Sequence, residues 1–139
     1  MEIEYAFLAR AADVSPDGTL SMLGTGFEIV RSRIFPRDFT FSIVVRLRDI
    51  VTSTQNMTLE FDAFDETDKS ILDAPYVVST VISRRLPLES VVSEGSGNIV
   101  FGILGLVIPI IGIYRLVLKL TGENVVGREF RLVAEELHD

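Results

Sequence analysis

The sequence predicts an all-β fold: an antiparallel β-sandwich of about eight strands, Ig-like or jelly-roll-like, in a single domain spanning residues 1–139. Three observations carry that expectation. Apolar residues recur with a period of two, turn-forming residues punctuate the chain about every 10 to 15 residues, and no long window shows the 3.6-residue apolar repeat of an amphipathic helix.

Residues 3–12 and 19–30 flank Ser15-Pro16-Asp17-Gly18, where proline at i+1 and glycine at i+3 suit a type I turn, so a first hairpin is expected. Gly24 and Gly26 interrupt its second strand and suggest a bulge or a close backbone approach. Residues 31–37, with Phe35-Pro36, form a connection. Phe39, Phe41, Ile43, Val45 and Leu47 then alternate with more polar neighbours, the clearest strand in the chain. Met57, Leu59, Phe61 and Ala63 repeat the pattern after a short polar stretch, Thr52-Ser53-Thr54-Gln55-Asn56, and are expected to pair with it antiparallel. Residues 77–82 are β-branched and read as a further strand, with Leu86-Pro87-Leu88 interrupting afterwards. Tyr114, Leu116, Leu118 and Leu120 alternate up to Thr121-Gly122-Glu123-Asn124, a two-residue type II′ turn signal, and residues 125–134 return.

Composition removes whole function classes. With no cysteine, disulfides, thiolate metal sites and cysteine nucleophiles are excluded. The single histidine, His138, leaves no histidine triad and no multi-histidine metal site. Twenty acidic against 13 basic residues give a net charge of −7, which repels a phosphate backbone, so no nucleic acid is expected as a partner. Met1-Glu2-Ile3-Glu4-Tyr5 lacks a basic, then apolar, leader, and a cytoplasmic location is the expectation. Against this acidity, 47% of the chain is hydrophobic and its mean hydropathy is +0.36.

The surplus concentrates in residues 99–114, where no charge occurs. As a helix those residues would reach only about 24 Å against a bilayer core of roughly 30 Å. Gly102, Gly105, Pro109 and Gly112 break the segment up and no basic cluster flanks it, so membrane association through residues 95–114 is the remote alternative. The preferred reading is a buried strand over 99–104 and a turn near Gly105 or Pro109. So few polar positions imply that both faces are covered, part of the segment by a second copy or a protein partner. The interface residues expected on that basis are Ile103, Leu106, Val107, Ile108, Ile110 and Ile111.

Asp62, Asp65, Glu66, Asp68 and Asp73 cluster at a strand end. Carboxylates on loops suit a hard cation, with Asp62, Asp65 and Asp68 the candidate ligands, but the spacing matches no defined calcium loop and a solvated acidic turn is the simpler reading. No carboxylate pair is spaced to show the cleft that glycosidase chemistry requires. Arg31, Arg33 and Arg37, with Arg84 and Arg85, offer guanidinium forks for an anion, or simply a solvated connection. Gly95-Ser96-Gly97 lacks the lysine and helix of a phosphate loop and reads as a flexible connection, and Gly24-Thr25-Gly26 lacks a dinucleotide fingerprint's third glycine. No catalytic residue and no cofactor is assigned.

Tyr5-Ala6-Phe7-Leu8-Ala9, the run Gly18-Thr19-Leu20-Ser21-Met22-Leu23-Gly24-Thr25-Gly26, and Gly112-Ile113-Tyr114-Arg115-Leu116 with Phe130-Arg131-Leu132-Val133 resemble a family of small bacterial proteins of unknown function. The resemblance spans most of the chain and implies a cytoplasmic β-sandwich without catalytic residues to transfer. The chain departs from the family's pattern at residues 99–113, where polar, proline-rich residues are usual. The function expected is therefore a non-enzymatic β-sandwich acting as a protein-interaction or self-assembly module. The alternative is a small-ligand or cation-binding sandwich using the acidic loop over 62–73.

Overall fold

In the computed structural model, residues 1–15, 19–50, 54–83 and 95–138 are described. They form nine strands, one more than expected: β1 (Glu2–Val14), β2 (Leu20–Thr25), β3 (Ile29–Ser32), β4 (Arg37–Ile50), β5 (Thr54–Phe64), β6 (Tyr76–Ser83), β7 (Gly95–Ile108), β8 (Gly112–Thr121) and β9 (Val125–Glu136). Two sheets result, one ordered β2-β1-β4-β7 and the other β3-β9-β8-β5-β6, the second curled like half a barrel. Among the described residues there is no helix long and apolar enough to cross a membrane.

Period-two patterning explains how one core arises from both sheets. Phe41, Ile43, Val45 and Leu47 of β4 are buried with Leu59 and Phe61 of β5 and with Leu116, Leu118 and Leu120 of β8. Each such side chain contributes roughly 1.5–3 kcal/mol by leaving water. Aromatic edges tie the layers together: Phe41 meets Phe27 at 5.8 Å and Phe61 at 6.5 Å between ring centroids.

Five expectations need correction. β4 and β5 do not pair; β4 lies between β1 and β7 while β5 lies between β8 and β6. Their alternation requires only that the apolar faces meet, and here they meet across the core rather than side by side. The second correction concerns direction: β3 runs parallel to β9, Ile29 opposite Val133, so the architecture is not wholly antiparallel. Gly26, at φ 71°, ends β2 and turns the chain toward the other sheet; it is a strand end, not a bulge. Lastly, Gly95-Ser96-Gly97 opens β7 instead of linking strands, and the β8–β9 connection has three residues between the paired Thr121 and Val125, not two. The hairpin of β1 with β2 is as expected, but Pro16 to Gly18 of its turn, Thr52 and Ser53, Arg84 and Arg85, and Leu86 to Leu88 lie outside the described residues.

Residues 99–114 are not uniformly buried. β7 pairs with β4 as Ile43–Phe101, Phe41–Ile103 and Phe39–Leu106, so three β7 residues span what two span on β4. That extra residue is a bulge in which Gly105 adopts φ 70°, a conformation only glycine takes without strain. It rephases the alternation, so Ile103, Leu106 and Ile108 all face the core and are buried. These three expected interface residues are corrected to core residues. Leu104 (79% exposed) and Val107 (49%) point the other way.

Strand register also places the connections. Arg37 at the start of β4 pairs with Ile108 at the end of β7, β5 ends where β8 begins, with Phe64 opposite Arg115, and Ser32 at the end of β3 pairs with Glu136 at the end of β9. The β3–β4 connection (33–36), the β5–β6 connection (65–75) and the β7–β8 connection (109–111) therefore gather at one end of the molecule.

Candidate functional site

The 109–111 connection is held from two sides. Tyr114 is buried, and its hydroxyl donates to the Ile110 carbonyl at 2.7 Å and accepts from the Ile110 N–H at 3.4 Å. Burial is the main reason its phenol sits above its ordinary pKa, with the nearby Asp65 and Glu66 carboxylates adding to the shift, so the hydroxyl stays a donor through the neutral range. On the other side, Glu66 Oε1 accepts from the Ile113 N–H at 2.9 Å. With its backbone so fixed, the connection still leaves Ile110 66% and Ile111 55% exposed.

Next to it, the acidic loop is organised by its own carboxylates. Asp65 Oδ1 accepts from the Thr67 hydroxyl at 2.7 Å, the Thr67 N–H at 2.8 Å and the Lys69 N–H at 3.1 Å. The Thr67 hydroxyl and then the Lys69 amide hold the Asp65 pKa below the usual carboxylate value. Asp62 Oδ1 accepts from the Ser70 hydroxyl at 2.6 Å, and Asp68 pairs with Arg115 at 3.2 Å. These bonds engage the carboxylates of Asp62, Asp65 and Asp68, the residues expected as cation ligands, within the chain. Their oxygens point to loop backbone, a serine and an arginine, and among the described residues no three acidic or histidine side chains converge on a metal position. Asp73 is exposed and Glu66 is committed to Ile113.

The basic side has a comparable character. Arg31 pairs with Glu135 at 3.1 Å, and Arg37 donates to the Ser32 hydroxyl at 3.3 Å while its guanidinium lies 5.8 Å from the Phe39 ring. Arg31 and Arg37 do not form one converging fork for an anion. Between Arg33 and Arg37 sits Ile34, 74% exposed.

Cavities open at this end, among them one of about 540 Å³ between Asp65, Glu66, Asp68, Arg115 and Glu129. One of about 240 Å³ lies between Asp65, Glu66, Pro109, Ile110 and Ile111. Another, about 650 Å³, is bounded by Arg33, Ile34, Arg37, Asp38 and Leu137. Of the expected interface residues, the structure brings Val107, Ile110 and Ile111 to this end with exposed side chains. Ile34, Leu104 and Leu137 were not anticipated. Ile34 carried a signal: a large apolar residue in a Pro-containing, arginine-rich connection, where no strand alternation demands it.

Residues 4–133 match a family of unknown function, DUF6941. No curated protein matches the chain.

Proposed function

We propose that this chain, which belongs to the DUF6941 family of unknown function, is a non-enzymatic β-sandwich whose loop end docks onto protein. The observation that carries the reading is the exposure of Ile110 and Ile111 on a backbone anchored by Tyr114 and Glu66. Leaving an isoleucine in water forgoes roughly 1.5–3 kcal/mol of burial. Here the Tyr114 and Glu66 bonds hold the backbone of the connection while both isoleucines stand exposed on it. Exposed apolar clusters rimmed by charge are the usual mark of a protein-binding surface. The engaged carboxylates of the acidic loop support a structural role for that loop in presenting the tip.

Photo-crosslinking in the native host tests the reading. A photoreactive residue at Ile111 is expected to capture a discrete protein product, and one at exposed Thr121, near the opposite end, is not. Adding Ile110→Asp should abolish the product while leaving the melting temperature within a few degrees, because the site is on the surface. Equal capture at both positions, or none at Ile111, contradicts the proposal.

A further inference from the structure

We infer that β6, an outer strand of the five-stranded sheet, pairs antiparallel with β6 of a second copy about a two-fold axis, so that two five-stranded sheets join into one. The inference concerns a different surface from the loop end and does not depend on the docking reading above.

Its basis is how the four outer strands, β2, β7, β3 and β6, differ. A strand with one side unpaired offers a row of backbone N–H and C=O groups to any other chain, and such edges are guarded by shortness, charge, proline or bulges. β3 has four residues, and its Arg31 pairs with Glu135. β2 has six, and Gly24, at φ 63°, breaks its extended run. β7 is bulged at Gly105. β6 carries none of these devices. Its eight residues, Tyr76–Ser83, include no charge, proline or glycine, and they pair with β5 without a register shift from Tyr76–Phe61 to Ser83–Thr54. Val77 and Val78 are neighbours and so point to opposite faces, yet they are 60% and 50% exposed. Val78 shares the core side with Tyr76, which stacks on Phe61 at 6.0 Å between ring centroids, but the described residues of the other sheet do not cover it.

The same features select the occupant. A single extended peptide added to β6 would itself become an open edge, whereas the edge of a second copy is already backed by a sheet, so the pairing closes. Two chains of net charge −7 approach each other most readily where neither carries charge, and residues 74–83 are such a stretch. Direction follows from what bounds that stretch in the sequence, Asp73 before it and Arg84 with Arg85 after it. Antiparallel pairing matches unlike signs at both ends of the joint; parallel pairing would match like signs. Glu60, the β5 carboxylate opposite Val77, is also opposite Lys119 of β8 and lies one strand in from the joint.

Sedimentation velocity on the full chain, from micromolar to hundreds of micromolar, tests the pairing. The wild type is expected to pass from monomer to dimer with concentration. Val77→Lys gives the exposed strand the charge that guarded edges carry and should raise the dissociation constant about tenfold or more. Val77→Thr, β-branched and uncharged, should leave it within about twofold. If Val77→Lys melts well below the wild type, Ser79→Lys, exposed on the same face, takes its place. The chain has no cysteine, so spin labels at Ser79→Cys and Asp73→Cys report direction. Pairing about the middle of β6 brings the Ser79 labels together and holds the Asp73 labels about 40 Å apart, at roughly 3.3 Å per residue. A wild type monomeric throughout overturns the inference and leaves the loop-end docking surface intact. A dimer indifferent to the lysine variants, or dissociated by Ile111→Asp instead, overturns β6 as the joint. Short distances at both labelled positions overturn the antiparallel direction.

Discussion

Tyr114 connects core to surface in a single side chain: its ring is buried and its hydroxyl fixes the Ile110 carbonyl. Tyr114→Phe keeps the ring and removes the bond, so a loss of about 1 kcal/mol is expected. In a domain of this size that lowers the melting temperature by roughly 3 °C, readable by calorimetry. Amide exchange at Ile110 should accelerate in the same variant. Asp65 provides a pH-dependent counterpart. Its folded pKa lies below 3.8, so the stability it contributes is whole at neutral pH and is lost as the pH falls below about 4 through the folded value. A carboxyl NMR titration should place the Asp65 midpoint below the ordinary aspartate value, and the Thr67 and Lys69 amides should shift with it. A midpoint at or above the ordinary value would remove the hydrogen-bonded loop from the account.

At the scale of the element, β7 explains the greasy segment. Ile103 and Leu104 are sequence neighbours of similar chemistry, one buried and one 79% exposed. Ile103→Ala should cost 2–5 kcal/mol in urea unfolding, about what a large-to-small core substitution costs. Leu104→Ala should stay within about 0.5 kcal/mol of the wild type. Equal losses would contradict the rephasing at Gly105. Much of this level was legible beforehand, because alternation in β4, β5, β8 and β9 reports which residues face inward. What alternation does not encode is the sheet a strand joins. A short connection between two half-apolar strands suits a hairpin and an arch across the core equally well, and β4 and β5 form the arch. Likewise, an apolar run without polar interruptions hides its own phase: Ile103, Leu106 and Ile108 read the same as Val107 and Ile110 until the bulge at Gly105 separates them. The parallel β3–β9 pair left no trace either, since β3 has only four residues.

At the scale of the whole molecule, the connections at 33–36, 65–75 and 109–111 share one end. The acidic surplus and the hydropathy surplus, contradictory as bulk properties, are sorted by position. Apolar residues fill the core between two sheets, and exposed ones remain on β2, on β6 and at the start of β9 as well as at Ile34, Ile110 and Ile111. The expected family of unknown function is matched over residues 4–133, and the expected β-rich body is present with nine strands in place of eight. The candidate site was half legible. Val107, Ile110 and Ile111 were named from their apolar context, whereas Ile34 belongs to the same surface only because the chain crosses between sheets at residues 33–36, which no local pattern announces. The central claim is that this end is where the protein meets its partner. Hydrogen-exchange mass spectrometry on the wild-type chain, free and in complex with the protein captured at Ile111, tests it most directly. The account predicts added protection confined to peptides covering 33–37, 65–69 and 107–113, with the β8–β9 connection at 122–124 unchanged. Protection that grows at 122–124, or that does not change at any of these segments, would contradict it.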